Sequence, residues 1–268
     1  MKCRESLPMS CNPLRLARLL AWVLGLAAGA AAAAQDRPPI VAAASGLQFA
    51  VTEIAARFAA DTGRKVTLNF GSSGNFARQI QQGAPFELFM SADEAFVFRL
   101  ADAGLTRDRG ELYAIGRIVL FVPRGSPLQL DAELKGVQAG WSQVRKFAIA
   151  NPEHAPYGRA AAEALRALGL WEQVEPRLVL GENVSQAAQF VTTRSAEAGI
   201  ISLSLALAPE LARAGQHVLL PERLHNPLRQ RMVLTRNAGP TARQFYDYLQ
   251  QPAARSVLRQ YGFVLPGE

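Results

Sequence analysis

"NFGSSGNFARQI", residues 69–80, passes from an apolar run into an amphipathic pattern through two glycines and two serines. A short apolar run that stops at a glycine-serine turn, followed at once by helical spacing from Phe76 to Gln82, is a strand-to-helix junction. Residues 40–50, "IVAAASGLQFA", repeat the form with Ser45 and Gly46 at the turn. Neither turn holds a lysine or an arginine, so an anion bound there would have to be held by backbone N–H groups and hydroxyls.

Outward from these two turns the chain alternates short strands with helical stripes. Strands are expected near 40–43, 66–70, 87–90, 115–122, 147–150, 177–180, 198–202, 217–220 and 230–235. Between them Val51, Ile54, Ala55 and Phe58 mark one core-facing helical stripe, and similar stripes run over 76–82, 94–103, 159–168, 184–193 and 241–250. Gly63, Gly83, Gly104 and Gly169 follow four of these helices, where a left-handed C-terminal cap is expected. The pattern predicts an α/β protein. "AIGRIVLFVPRG" (114–125) and "PLRQRMVLTRNAG" (227–239) read as strands entering and leaving a second lobe, with residues 36–118 plus 230–268 as a discontinuous first lobe, 119–229 as the second, and a two-strand hinge.

Residues 1–34 stand apart. Lys2, Arg4, Arg15 and Arg18 precede an unbroken apolar run from Leu19 to Ala34 that ends in alanines, the pattern of a cleavable secretory signal. The run is shorter than the ~20 residues of a membrane-spanning helix. Both cysteines, Cys3 and Cys11, lie before it, so the exported chain carries no thiol or disulfide. Without this segment the chain keeps 25 basic and 21 acidic residues, a formal charge of +4. Arg223, Arg229, Arg231 and Arg236 are spread along a loop and a strand rather than clustered with aromatics, which argues against nucleic acid as a partner.

Two further junctions, "IANPEHAPYGRAA" (149–161) and "LGENVSQAAQF" (180–190), open helices near Tyr157 and Val184. In a parallel α/β sheet such turns gather at the carboxyl edge of the strands. The first turn of each helix offers unpaired N–H groups at the positive end of the helix dipole. One junction alone would be an ordinary cap, with Ser45, Ser73 or Asn183 serving its own helix; four, two in each expected lobe, point to a shared anion. Arg78 is expected to pair with an acid such as Glu87, His154 to hydrogen-bond within a loop, and Asp93 to cap a helix. Glu153 and Glu182 are expected to face solvent or a hinge partner.

Taken in order, "AAAS" (42–45), "GSSGNFARQIQQGAPFELFMSAD" (71–93), "NPEHAPYGRAAAEALRALGLW" (151–171), "GENVSQAAQFV" (181–191) and "FYDYLQQPAARSVLRQYGF" (245–263) resemble the periplasmic molybdate-binding proteins of molybdate ABC importers. The resemblance implies a type II-like periplasmic binding protein fold whose two lobes close on one tetrahedral oxyanion, molybdate or tungstate. It implies no enzyme activity and no cofactor, since molybdenum enters as the bound oxyanion and no cation site is expected. The implied partners are a membrane permease and its ATPase subunits, and the implied state is a periplasmic monomer. Matched residue by residue, Ser45 and Ser73 take the places of two ligand-binding serines, Val184 that of a ligand-binding backbone N–H, and Tyr157 another contact at a helix N-terminus. Many relatives place a tyrosine near the position of Ser202 and a small residue at that of Tyr157, so either Tyr157 or Ser202 is expected to complete the site. The rivals are a binder of another oxyanion such as sulfate, and a secreted serine hydrolase. For the hydrolase, a G-x-S-x-G turn starting at Gly71 fails at Asn75.

Overall fold

Val41, Ala42 and Ala43 have no exposed surface, as a strand covered by helices on both faces requires. The structure, a computed structural model, describes residues 37–268; the export signal read at 1–34 lies outside the described residues. In chain order the strands are β1 (Ile40–Ala44), β2 (Thr67–Gly71), β3 (Leu88–Ser91), β4 (Glu111–Gly116), β5 (Ile118–Pro123), β6 (Phe147–Ala150), β7 (Leu178–Gly181), β8 (Ala198–Ser202), β9 (Gly215–Leu219) and β10 (Leu228–Leu234). The longer helices are α1 (Gln48–Thr62), α2 (Ser73–Gln81), α3 (Glu94–Asp102), α4 (Pro156–Ala167), α5 (Val184–Thr192), α6 (Pro240–Leu249) and α7 (Pro252–Gln260).

The strands form two five-stranded sheets, ordered β2-β1-β3-β10-β4 and β7-β6-β8-β5-β9. In the first, β1 runs parallel to β2 and β3 while β10 is antiparallel to β3 and β4. In the second, β6 runs parallel to β7 and β8 while β5 is antiparallel to β8 and β9. Each sheet with its helices is one lobe of a two-lobe periplasmic-binding-protein fold. In both, the chain winds to one side of a central strand and then returns on the other, so β1 and β6 each have a topological switch point at their carboxyl end, where open α/β sheets bind ligands.

The apolar run at 115–122, expected as one strand, is two. β4 ends at Gly116, β5 begins at Ile118, and Arg117 is the step from one sheet to the other. A glycine is needed at the step: a Cβ on Gly116 would stand 2.5 Å from the Tyr157 hydroxyl and 2.6 Å from Gln230 Nε2. The chain returns to the first sheet after β9, through β10. The two closing helices pack on the first lobe, where Phe58 of α1 meets Phe245 and Tyr248 of α6 edge-on at centroid distances of 5.1 and 5.4 Å. Phe58 is fully buried, a change worth about 1.5–3 kcal/mol by transfer, with edge-to-face contacts adding roughly 0.5–1.5 kcal/mol. Gly63, Gly83, Gly104 and Gly169 all adopt the left-handed conformation expected of them, with φ between 69° and 86°.

Candidate functional site

The carboxyl ends of the two switch-point strands face a small cavity between the lobes. Its lining includes Ser45, Ser72 and Ser73 from the first lobe and Pro156, Tyr157, Asn183 and Val184 from the second. No lining residue carries a formal charge. The cavity measures about 10 Å³, room of the order of one water molecule, so the walls of the two lobes stand close together around it.

Accounting for the first-turn N–H groups shows what the walls offer. In α2 the cap is Ser72, whose Oγ accepts from Asn75 N–H at 3.3 Å and whose carbonyl accepts from Phe76 N–H at 3.1 Å. Gly74 N–H donates across the cleft to the His154 carbonyl at 2.9 Å. The N–H of Ser73 is the one that neither cap nor cleft takes. In α5 the Asn183 side chain accepts from Ser185 and Gln186 N–H at 3.0 and 3.1 Å, which leaves that of Val184. In α4 Pro156 has no N–H, and Gly158 and Arg159 N–H both donate to the Ala155 carbonyl, which leaves that of Tyr157. Ser73, Tyr157 and Val184 all line the cavity. Three helix N-termini, each worth about half a positive charge, therefore converge on one point.

The hydroxyls add to this set. Ser73 Oγ accepts from Ala92 N–H at 2.9 Å, and Ser45 Oγ accepts from Ser185 N–H at 3.4 Å. With a lone pair occupied by the backbone, each hydroxyl has its own proton to give. Neither serine is a side-chain cap: Ser45 opens a single 3₁₀ turn (Ser45–Leu47) without a capping bond, and the cap of α2 is Ser72 rather than Ser73. Asn183 is a cap, as is Asp93, which accepts from Ala95 N–H at 2.8 Å.

Tyr157 and Ser202 part from expectation in where their hydroxyls go. The Tyr157 ring is buried, but its hydroxyl lies in the hinge, accepting from Gln230 Nε2 at 2.8 Å. Burial pushes this phenol well above its usual pKa, so it stays protonated. Ser202 caps the short helix Leu203–Ala206, accepting from Leu205 N–H at 3.4 Å, and is absent from the cavity lining. Arg78 donates to Asn75 Oδ1 instead of pairing with Glu87, whose carboxylate accepts from Gly239 N–H at 2.7 Å. α2 carries Arg78 toward the cleft rim, while Glu87 sits at the far end of β3.

Side chains outside the expected ligand-binding set tie the lobes together around the cavity: Glu182, expected at solvent or a hinge partner, and His154, expected to bond within its loop, both reach across the cleft. His154 Nδ1 is 2.9 Å from Ser72 Oγ and its Nε2 is 3.6 Å from Glu182, which also accepts from Asn75 Nδ2. Ser185 Oγ donates to the Ser45 carbonyl at 3.1 Å, and Arg159 pairs with Asp93 on another side. In the Ser72–His154 contact the serine serves as a helix cap, its Oγ accepting from Asn75 N–H at 3.3 Å. Among the described residues no group of three or more His, Cys, Asp or Glu side chains is placed to hold a metal cation.

Two α/β lobes that meet around a small, uncharged cavity are the arrangement of a solute-binding protein. Residues 40–264 match the family described as bacterial extracellular solute-binding protein, and the chain belongs to it. It is similar to the molybdate-binding protein ModA of Rhodobacter capsulatus, 37% identical over 92% of this chain and 95% of the relative, and to that of Azotobacter vinelandii, 38% identical over 91% and 96%. Among solved structures it resembles the Azotobacter vinelandii periplasmic molybdate-binding protein with a TM-score of 0.79 at 30% identity, covering 86% of this chain and all of that one.

Proposed function

We infer that this protein captures molybdate, and tungstate with it, between its lobes and hands it to the membrane permease and ATPase subunits of an ABC importer. The observation that carries the reading is the cavity's uncharged lining with its convergent donors: the N–H groups of Ser73, Tyr157 and Val184 with the hydroxyls of Ser45 and Ser73, and no carboxylate. A fully deprotonated tetraoxo anion only accepts hydrogen bonds, so it fits such walls, and helix N-termini hold it without a formal countercharge. Phosphate keeps a proton for part of its population and is best served by a carboxylate acceptor, which this lining lacks. Tyr157 contributes through its N–H rather than its phenol. The anion is cargo and not a cofactor, and no catalytic step is involved.

The wider reading has residues 1–34 as a cleaved export signal, a periplasmic location, a monomer, and the sheet β2-β1-β3-β10-β4 with its helices moving as one lobe against the sheet β7-β6-β8-β5-β9 with its own. Closure follows from binding energy, because the anion meets donors of both lobes at once in the closed form alone. Isothermal titration with molybdate, tungstate, sulfate and phosphate tests the assignment. Tight binding of the first two with weak binding of the others is expected; equal competition by sulfate would reassign the protein to a general oxyanion binder.

A further inference from the structure

Gln230 is fully buried on β10, at the register shift between itself and Arg231. Both ends of its amide are engaged: Oε1 accepts from the Tyr113 hydroxyl at 3.1 Å, and Nε2 donates to the Tyr157 hydroxyl at 2.8 Å. The Tyr157 oxygen accepts from Gln230 and so has its own proton to give. Ser204 Oγ donates to the Gly46 carbonyl at 2.6 Å. Tyr113 and Gln230 belong to the first lobe, Tyr157 and Ser204 to the second, and Gly46 to the first again. Two buried polar bonds thus join the lobes, Gln230 to Tyr157 at the hinge and Ser204 to Gly46 beside Ser45 of the cavity.

Building on the oxyanion role proposed above, we propose that Gln230, the Tyr157 hydroxyl and Ser204 are positioning groups that hold the closed cleft in register from its hinge side without touching the ligand. Two of their bonds, Gln230 to Tyr157 and Ser204 to Gly46, cross between lobes and exist only when the cleft is shut. They act on the two cavity walls closest to the hinge. The Tyr157 N–H sits on the same residue as the linked phenol, and the Ser45–Gly46 turn is gripped at its own carbonyl. The close packing leaves little play: a Cβ on Gly46 would lie 3.1 Å from the Tyr157 ring and 3.4 Å from Ser202 Oγ. Because these bonds form on closing, their loss speeds reopening and so release, while anion entry into the open form is unchanged.

The test is the rate of molybdate release by stopped flow, beside the melting temperature of the ligand-free protein, for Tyr157→Phe, Ser204→Ala, their double variant and Gln230→Leu. Each single variant should release molybdate about two- to tenfold faster, at a parental association rate, and the double variant should fall short of the product of the singles because both residues bear on the same Gly46 turn. Tyr157→Phe and Ser204→Ala keep the packing shape and carry the test if Gln230→Leu does not fold. A lower melting temperature with parental release rates, or fully multiplicative effects, would overturn the positioning role alone. Failure of the parent protein to bind molybdate or tungstate would overturn the oxyanion reading and this role with it.

Discussion

Ser73 Oγ accepts a hydrogen bond from the backbone N–H of Ala92 at 2.9 Å, although the neighbouring Ser72 is the residue that caps the helix. The pairing orients a fully buried hydroxyl so that its proton faces the cavity. The two adjacent serines therefore have separable jobs, and substitution separates them.

Ser73→Ala removes a hydroxyl donor to a charged acceptor, worth about 1.5–3 kcal/mol, so molybdate affinity should fall by about ten- to a hundredfold or more. It also strands the Ala92 N–H, so stability should drop by roughly 1–3 kcal/mol. Ser72→Ala should cost about 1 kcal/mol as a lost cap and change affinity less, through the His154 tie alone. Titration calorimetry and urea unfolding on both variants check this; equal affinity losses would mean that the serine pair acts as a unit.

Val184→Pro deletes one cavity-facing N–H with little disturbance to the helix that carries it. Val184 is the first residue of α5, where proline is well tolerated, and Asn183 before it is already extended at φ −150°, ψ 175°, as a residue preceding proline must be. Affinity should fall by about 1.5–3 kcal/mol, with the circular dichroism and melting of the ligand-free protein near the parent's. Parental affinity would remove this N–H from the site.

The four strand-to-helix junctions were legible because each combines a local period change with a turn signal, and both are short-range. The assignment of Ser72 rather than Ser73 as the cap was not, since both satisfy the capping rule and the choice rests on Ala92, His154 and their distances in space. The step at Arg117 was hidden because β4 and β5 are equally apolar and extended on either side of it, with Gly116 as its one local sign. The destination of the Tyr157 phenol depends on Gln230, on a strand of the other lobe. An aromatic residue at a helix N-terminus looks the same whether its hydroxyl or its backbone faces the ligand.

Acid should weaken the second lobe through Glu197. Burial alone would raise its pKa, but the backbone N–H groups of Lys146 and Arg145, donating at 2.8 and 3.0 Å, outweigh it and hold the carboxyl below its usual value of 4.5. A folded-state pKa below the unfolded one means that the unfolded chain binds the proton first. The contribution is therefore complete above about pH 4.5 and is lost as pH falls through the lower folded value. Glu197→Gln should be less stable than the parent at neutral pH and lose less on acidification; parallel stability–pH curves for the two proteins would exclude this carboxylate as a source of acid sensitivity.

Gly74→Ala should hold the cleft open. Gly74 lies in the first turn of α2, and its N–H donates to the His154 carbonyl of the opposite lobe at 2.9 Å. An added Cβ would stand 2.7 Å from that oxygen and 3.0 Å from both the Cα and the Cβ of His154, a clash with backbone that no rotamer change relieves. The obstruction exists only while the lobes are shut. Within the open form alanine suits a helix better than glycine by roughly 0.5–1 kcal/mol, so the ligand-free protein should melt at or above the parental temperature. Affinity for molybdate should nonetheless drop, and small-angle scattering should show that saturating anion no longer compacts the protein as it compacts the parent. Higher apo stability combined with weaker binding is a pairing that simple misfolding cannot produce. Parental affinity and full compaction in the variant would show instead that α2 and His154 do not meet in the loaded state, and would move the point of closure to the Ser45–Ser185 side of the cleft.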